Sequence, residues 1–500
     1  DVRSKHPAVV HEGRTLVWSE LEPEQGRFEF AEVHALLARA AREGRGVVLR
    51  LKSSVVRRRS VWGPLEAVPA WVLEQHRPPV GRIRDRGPRD FIEIVPPWHP
   101  GVQADYLRFV EAFGREHFDR YPSLLGLYVH GISSSFGEEM WMDREGFEAM
   151  VELGMTPERL ENAMSARIRA WAEALSTRPA LLGWVGAGWI DATGDPSEWR
   201  RVRERLDALA LGLGLGRRWG NIESYNGGTE KNGQHLQADG RLRTDSAHPL
   251  IAERRFWAAE NENYDAPSKA DAFAYRMATL RALQMRIRLL WVTDRALVLG
   301  PEISHYFARV AGLEPRRSPD AWVVLREAEL RRGRKQLRMG NLEHGVVQVE
   351  PSSGARSVRS LPVERPPQAR DWQEPVDWTA RRTNRAAGVD RLVFRLDEEF
   401  FPKAEGWPRT LQVTWQDEGQ DWHVELRTEA GLLRSPSGGE GGGGIERTTT
   451  FALPAEVGRR PDAERGDLAV VTGERDIAIK RIRLLRAAHR TTSPECGGSS

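Results

Sequence analysis

Short apolar runs alternate with segments of helical periodicity over roughly the first three hundred residues of the chain. Seven of these runs have the length of buried strands, from residues 15–18 to residues 287–292. Parallel strands joined by helical crossovers produce such an alternation, which predicts an α/β fold, a (β/α)8 TIM barrel. An eighth strand near Val9 and Val10 would close the ring. The alternative is an open doubly wound sheet, but no glycine-rich phosphate-binding fingerprint follows any of the runs.

The pattern changes to a period of two from Asp390 onward, with short runs separated by turn residues. This pattern is typical of a β-sandwich. We therefore predict four segments: a catalytic barrel in residues 1–335, strands packed on the barrel with a linker in residues 336–385, an all-β sandwich accessory domain in residues 386–488, and a disordered tail in residues 489–500.

The charged residues are nearly balanced, with 74 Lys and Arg against 71 Asp and Glu and a formal net charge of +3. A nucleic-acid-binding protein would need positive charge clustered on one face, so we expect no nucleic-acid partner. No apolar run approaches the length of a membrane span, and we expect no membrane partner. The only cysteine, Cys496, gives no disulfide framework. The sequence leaves the oligomeric state open.

Several common kinds of catalytic site have no motif in this chain. The 13 histidines show no HExxH motif or other paired ligand spacing, so we expect no metal. No G-x-S-x-G elbow supports a serine hydrolase and no Walker motif supports a nucleotide enzyme, so we expect no cofactor. The chain has 18 tryptophans against 7 tyrosines, and indole faces suit both sugar rings and hydrophobic cores.

Residues 15–30, TLVWSELEPEQGRFEF, place Trp18, Glu20 and Glu22 at the end of the first predicted strand. A barrel enzyme carries its site at this end of its strands. The segment resembles W-x-x-L-E-P-x-x-G-x-[YF]-x-F, found near the start of the catalytic barrel in bacterial β-galactosidases and their relatives in the large retaining-glycosidase clan, clan A. The resemblance covers residues 1–330. It implies a carbohydrate substrate and two catalytic glutamates, at the ends of strands four and seven.

The segment LYVHGISSSFGEEMW, which contains predicted strand four, carries the first candidate glutamates. The resemblance implies an acid/base carboxylate here, which we assign to Glu138, with Glu139 as the alternative. Neighbouring negative charge and partial burial would keep such a group protonated near neutral pH. The clan usually has an Asn before this glutamate, whereas this chain has Gly137. The other interpretation is an acidic pair that starts a helix.

The segment FWAAENENY, which contains predicted strand seven, carries the second pair of candidates. In an alternating strand Phe256, Ala258 and Glu260 share one face, so Glu260 would point into the barrel mouth. The resemblance implies a nucleophile here, which we assign to Glu260, with Glu262 as the alternative. Tyr264 could donate a hydrogen bond to it. The other interpretation is an acidic surface loop.

Further side chains at predicted strand ends, and two in a long irregular stretch of residues 55–100, are predicted to bind the sugar. These residues are Trp18, Glu22, Trp98, His99, His130, Trp189, Asn221, Glu223, Tyr264 and Trp291. Each of them could equally serve packing.

The sequence thus predicts a glycoside hydrolase that cleaves an O-glycosidic bond in an oligo- or polysaccharide by double displacement. The missing Asn before Glu138 supports a second hypothesis, a non-catalytic carbohydrate-binding protein on a degenerate barrel. A third hypothesis is an inverting hydrolase. We expect a secreted or periplasmic protein, although no signal peptide is visible in the chain.

Overall fold

The computed structural model describes residues 11–59, 65–84, 91–129, 144–185, 197–222, 234–236, 242–244, 246–261, 269–292, 297–298, 300–325, 328–332, 335–339, 341–350, 357–359, 380–400, 410–428, 431–435, 438, 445–453 and 466–486. The chain divides into two units. The first comprises Asp1–Asn221, Asp245–Glu260 and Ile287–Asp294, and the second comprises Ile222–Thr244, Asn261–Arg286 and Arg295–Ser500.

Helices and strands alternate through the first three hundred residues, as the sequence predicts. In chain order the elements are β1 (His11–Val17), α1 (Trp18–Leu21), α2 (Ala31–Arg42), β2 (Gly46–Lys52), β3 (Val55–Arg59), α3 (Ala70–His76), β4 (Gly81–Arg84), β5 (Phe91–Ile94), α4 (Pro100–Arg115), β6 (Leu124–Val129), α5 (Arg144–Glu152), α6 (Pro157–Ala174), β7 (Leu182–Val185), α7 (Ser197–Gly212), β8 (Gly216–Asn221), β9 (Gln234–Leu236), β10 (Leu242–Thr244), α8 (Pro249–Ala252), β11 (Trp257–Asn261), α9 (Lys269–Gln284) and β12 (Leu289–Val292).

The first unit is built on a seven-stranded sheet with the strand order β1-β2-β6-β7-β8-β11-β12. The strands pair in parallel, with Val17 opposite Lys52 and Gly183 opposite Gly216. On the convex face, buried side chains of β2 such as Leu49 and Leu51 join one hydrophobic core with Phe109 of α4 and other helical residues. This layer of helices over a parallel sheet is the arrangement that the sequence pattern predicts.

The sheet curls into a half-barrel, because side chains on its concave face reach across it. Trp291 on β12 donates a hydrogen bond from Nε1 to the hydroxyl of Tyr128 on β6. The guanidinium of Arg50 on β2 lies 4.6 Å from the centre of the Trp291 ring. In a flat sheet β2 and β12 would be about 24 Å apart, five strand spacings. The curvature confirms the predicted barrel-type α/β fold.

The N-terminal edge of the sheet differs in detail from the prediction. β1 begins at His11 and ends at Val17, and Trp18 starts a helix instead of ending a strand. The predicted additional strand near Val9 and Val10 lies outside the described residues. Within the described sheet β6 is the third strand and β11 is the sixth. The prediction counts them as strands four and seven, and this count requires the additional N-terminal strand.

Phe256, directly before β11, occupies the barrel interior against three glycines. A Cβ on Gly126 of β6 would lie 2.2 Å from the Phe256 ring, and one on Gly183 of β7 would lie 2.8 Å from it. A Cβ on Gly216 of β8 would lie 2.3 Å from the Phe256 carbonyl oxygen. Glycine at these three positions therefore lets two strands pack against the Phe256 ring and a third, adjacent strand pack against the Phe256 backbone.

Residues 55–100, predicted to be a long irregular stretch, contain a small antiparallel sheet with the strand order β3-β5-β4. Ile92 and Ile94 of β5 are completely buried. On the opposite side Arg57 pairs with Glu93 at 2.9 Å, and the guanidinium of Arg82 lies 3.8 Å from the centre of the Phe91 ring. β3 begins two residues after β2 ends. The small sheet is therefore connected to the barrel at the C-terminal edge of the parallel strands.

The second unit continues with a helix and a series of strands. They are α10 (Pro301–Val310), β13 (Asp320–Val324), β14 (Ala328–Arg332), β15 (Lys335–Met339), β16 (Leu342–His344), β17 (Val346–Val349), β18 (Val358–Arg359), β19 (Arg381–Arg382), β20 (Arg391–Leu396), β21 (Thr410–Asp417), β22 (Trp422–Thr428), β23 (Gly431–Arg434), β24 (Ile445–Ala452), β25 (Leu468–Thr472) and β26 (Ala478–Leu485).

Two antiparallel sheets form the predicted β-sandwich, which is thereby confirmed. One sheet has β26 at its centre, flanked by β13 and β21, and the other has the order β17-β20-β25-β22-β23. Alternate side chains of both sheets share one core, in which Phe394, Trp415 and Trp422 are almost fully buried. Because β13 pairs with β26 from Asp320 opposite Leu485, the sandwich sheets also include strands that precede residue 386.

Candidate active site

Two charged side chains meet inside the barrel. Arg218 of β8 and Glu260 of β11 form an ion pair between Nη2 and Oε1, and their side chains are 4% and 14% exposed. Phe256 and Ala258 of the same segment are buried in the interior with Tyr128, so Glu260 lies on the inward face that the period of two indicates. The pair therefore presents a carboxylate to the interior, near the C-terminal end of its strand.

An aromatic pair borders this ion pair. The guanidinium of Arg218 lies 5.7 Å from the centre of the Tyr128 ring, and Tyr128 accepts the hydrogen bond of Trp291. Burial raises the pKa of Tyr128 above its ordinary value, while the positive charge of Arg218 opposes the shift. The phenol therefore stays neutral at physiological pH, and its hydroxyl hydrogen remains a donor.

Trp291, a predicted sugar-binding residue, lies within this cluster at the end of β12. Its ring is partly exposed, and the guanidinium of Arg50 lies over it. A cation over an indole face is a favourable contact. Arg50 thus already covers part of the Trp291 ring surface.

Trp18 and Glu22, also predicted to bind the sugar, are completely buried. Trp18 Nε1 donates to Glu22 Oε2 at 2.9 Å, and the Gly26 amide donates to Glu22 Oε1 at 2.9 Å. Arg108 of α4 donates to Glu22 Oε1 at 2.5 Å. Gly26 has a φ of +78°, which favours glycine. The W-x-x-L-E-P-x-x-G pattern thus encodes a turn in which Glu22 accepts hydrogen bonds from Trp18 and Gly26 of the same pattern. Neither Trp18 nor Glu22 is exposed to a ligand.

Trp98 and His99 lie on the helical side of the unit, at the start of α4. Trp98 is half-buried and donates from Nε1 to the Leu153 carbonyl at 3.3 Å. His99 precedes α4 and its Nδ1 accepts from the Val102 amide at 3.5 Å. Burial, and then the charge of nearby His76, lower the pKa of His99. Both side chains therefore have contacts that stabilise the start of α4.

Most of the other predicted site residues lie outside the described residues, so their predicted roles stay predictions. These are Glu138, Glu139, His130, Trp189, Glu223, Glu262 and Tyr264. Asn221 is the last residue of β8, and its backbone is the register partner of Glu260 on β11.

Sequence reasoning missed Arg50, Tyr128 and Arg218. The available sequence signal is a charged residue between apolar ones in a strand, as in GVVLRLK of β2, where Leu49 and Leu51 on either side of Arg50 are buried. A charge in such a run points into the barrel or to a partner. Their mutual contacts depend on sheet curvature, which no local pattern encodes.

Among the described residues, no group of three or more His, Cys, Asp or Glu side chains could hold a metal ion. None of the helices in the described part is long and apolar enough to cross a membrane.

No protein-family model matches the chain, and no curated protein matches it. Solved structures similar to it include the catalytic domain of β-amylase from Paenibacillus polymyxa, 11% identical with a TM-score of 0.37, covering 59% of this chain and 88% of that one. The β-galactosidase from Rahnella sp. R3 is 14% identical with a TM-score of 0.28, covering 58% of this chain and 42% of that one. Xylanase 10B from Thermotoga petrophila is 10% identical with a TM-score of 0.28, covering 56% and 72%. This chain spans less than half of the length of the Rahnella enzyme. All three are glycoside hydrolases, and at such low TM-scores the likeness assigns no function to this chain.

Proposed function

We propose that this protein is a glycoside hydrolase that cleaves an O-glycosidic bond in an oligo- or polysaccharide, with Glu260 as its nucleophile. The observation that carries the proposal is the position of Glu260, inside a parallel barrel, near the C-terminal end of β11 and paired with Arg218. Barrel enzymes place their catalytic groups at this end of the strands. A neighbouring guanidinium favours the ionised form of the carboxylate, which a nucleophile needs.

In the proposed double displacement a Glu260 carboxylate oxygen attacks the anomeric carbon while a carboxylic acid protonates the leaving oxygen. Water then cleaves the glycosyl-enzyme ester, and the same acid, now a carboxylate, accepts its proton. We assign this acid/base role to Glu138, with Glu139 as the alternative. Glu138 follows β6 in the sequence, and β6 and β11 end at the same edge of the sheet because the strands from β6 to β11 pair in parallel.

Arg218 has a positioning role in this proposal. It holds Glu260 by the ion pair and contacts the Tyr128 ring, so the orientation of the nucleophile depends on both neighbours. Tyr128 in turn accepts a hydrogen bond from Trp291. A chain of contacts across the barrel would thus fix the carboxylate before the sugar binds, which lowers the entropy cost of the reaction.

The decisive experiment uses activated aryl glycosides and chemical rescue. Glu260→Ala should abolish turnover, and added azide should restore it as a glycosyl azide whose anomeric configuration is opposite to that of the substrate. In Glu138→Ala, azide should instead give a product with the configuration of the substrate. Glu253→Ala is the control, because its side chain is 58% exposed at the entry to β11. Wild-type turnover by Glu260→Ala would refute the assignment.

The second candidate is a non-catalytic carbohydrate-binding protein. It is favoured by the direct pairing of Glu260 with Arg218, which neutralises the carboxylate. This candidate predicts oligosaccharide binding by calorimetry, with no turnover of any activated glycoside. If the first sugar released by the wild-type protein has the anomeric configuration opposite to that of the substrate, the protein is an inverting hydrolase instead.

A further inference from the structure

The outer face of the second sandwich sheet carries an ordered group of positive charges. In β20, β25 and β22 the residues Leu392, Phe394, Leu468, Val424 and Leu426 are buried in the core. The alternate residues therefore face outward. The outward positions of β20, β22 and β23 carry four arginines and one glutamate, namely Arg391, Arg395, Arg427, Arg434 and Glu425.

Glu425 organises the cationic groups around it. Its side chain is 8% exposed, and it accepts from Arg391 Nη1 at 3.0 Å and from Arg434 Nη2 at 3.1 Å. His423 Nε2 lies 3.4 Å from the same carboxylate. Asp390, directly before β20, also pairs with Arg391 at 3.0 Å. One buried carboxylate thus holds two guanidinium groups in fixed positions on the sheet.

The two arginines remain able to bind another anion. Their side chains are 39% exposed in Arg391 and 66% exposed in Arg434. A guanidinium has five N–H donors in a planar fork, and the contacts with Glu425 use only part of them. Because the groups are already held in place, a ligand would immobilise few free side chains on binding.

The floor of this face consists of small apolar side chains. Val393, Ala469 and Val471 lie between the charged residues of β20 and β22. Among the described residues of these strands no Phe, Trp or Tyr faces outward. Neutral sugars and nucleic-acid bases bind to proteins by stacking on aromatic rings, so this face lacks the group that either would need.

We propose that this face binds an acidic polysaccharide, one whose sugars carry carboxylate or sulfate groups, through Arg391, Arg395 and Arg434. Guanidinium groups bind carboxylate and sulfate-type oxygens through paired hydrogen bonds. Three arginines on two strands of one sheet face, β20 and β23, match a polymer that carries repeated negative charges. The choice of a glycan over another polyanion rests on the proposed function. The expectation that the face binds a polyanion is independent of that function, because it follows from the arginines alone.

The test is affinity electrophoresis of the full chain in gels containing polygalacturonate, heparin, neutral hydroxyethylcellulose or double-stranded DNA. We expect retardation by polygalacturonate or heparin, decreasing with added salt, and none by hydroxyethylcellulose. Arg395→Gln/Arg434→Gln leaves Glu425 its contact with Arg391 and should weaken the retention about tenfold, because two charged contacts are lost. Retention by polygalacturonate would show that carboxylates are sufficient, and retention by heparin alone would show that sulfate groups are required.

The matched control is Arg316→Gln/Arg317→Gln, which removes two exposed arginines elsewhere in the same unit, with side chains 56% and 72% exposed. It should be retained like the wild type. Equal retention of the two double variants, or stronger binding of DNA than of either acidic polysaccharide, would overturn the proposal. Retention without any hydrolysis would refute the proposed enzymatic function alone, and hydrolysis without retention would refute the binding surface alone.

Discussion

Arg218 and Glu260 form an ion pair across two adjacent strands of a parallel sheet, with both side chains directed into the barrel. Arg218 lies opposite Ala258, which is two residues before Glu260 on β11 and shares its inward face. The two charged side chains therefore start from neighbouring inward positions of adjacent strands. Since both groups are largely removed from water, removal of one partner leaves a buried charge without its counterion.

The first prediction concerns the energy of this pair. Arg218→Met should lower the free energy of unfolding by about 3 kcal/mol, because Glu260 loses its counterion. Adding Glu260→Met should recover much of that loss, since an apolar pair of similar volume removes both charges. Urea denaturation of the two single variants and the double variant measures the coupling. Independent, additive effects of the two substitutions would contradict the ion pair.

The second prediction concerns the turn formed by Trp18 and Glu22. Glu22→Gln should lower the free energy of unfolding by about 3 kcal/mol, because an amide cannot accept hydrogen bonds from three donors and cannot pair with the charge of Arg108. Glu24→Gln is the control, since the Glu24 side chain is 70% exposed and pairs with exposed Arg27. The control should change stability by less than about 0.5 kcal/mol. Equal urea midpoints for the two variants would show that the Glu22 network is not structural.

The third prediction concerns the glycines around Phe256. Gly126→Ala places a methyl group 2.2 Å from the Phe256 ring, so the ring or a strand must shift. We expect a loss of about 2 kcal/mol in the free energy of unfolding. Phe256→Leu in the same chain should relieve part of that loss because it removes the ring. Gly212→Ala, at the end of α7 with no atom within 4 Å of the added methyl group, should be neutral or stabilising. A Gly126→Ala protein as stable as the wild type would contradict this packing.

The sequence predicts the elements well where the periodicity is strong. The parallel strands of the barrel and the period-two strands of the sandwich lie where the apolar runs indicate them, because burial of alternate or helical faces leaves a local pattern. The inward direction of Glu260 follows from the same local rule, since Phe256 and Ala258 share its face.

Features that depend on distant partners could not be predicted in this way. A tryptophan and a glutamate at the end of a strand give the same sequence pattern whether they face a ligand or a helix. The burial of Trp18 and Glu22 depends on Arg108, which lies 86 residues from Glu22 in the chain. Likewise β13 belongs to the sandwich because it pairs with β26, and the sequence of Asp320–Val324 contains no sign of that partner.

The last prediction is a pH dependence that originates from His344. Burial, and then the positive charge of Arg286, lower the pKa of His344 to about 3. Its ring stacks on Trp322 at 5.2 Å, and its Nε2 lies 3.3 Å from Ser318 Oγ. The unfolded chain binds a proton at this residue below a pH of about 6.5, whereas the folded protein does not, so stability falls as the pH falls from about 6.5 to about 3.

His344→Phe keeps an aromatic ring in the stack and removes the titrating group. Between pH 7 and pH 5 the free energy of unfolding of the wild type should fall by about 2 kcal/mol more than that of the variant. Urea titrations at the two pH values measure this difference, with His305→Gln, an exposed histidine of α10, as the control. Parallel pH profiles for the wild type and His344→Phe would show that the folded protein accepts a proton at His344, because only then does removing the group leave the slope unchanged.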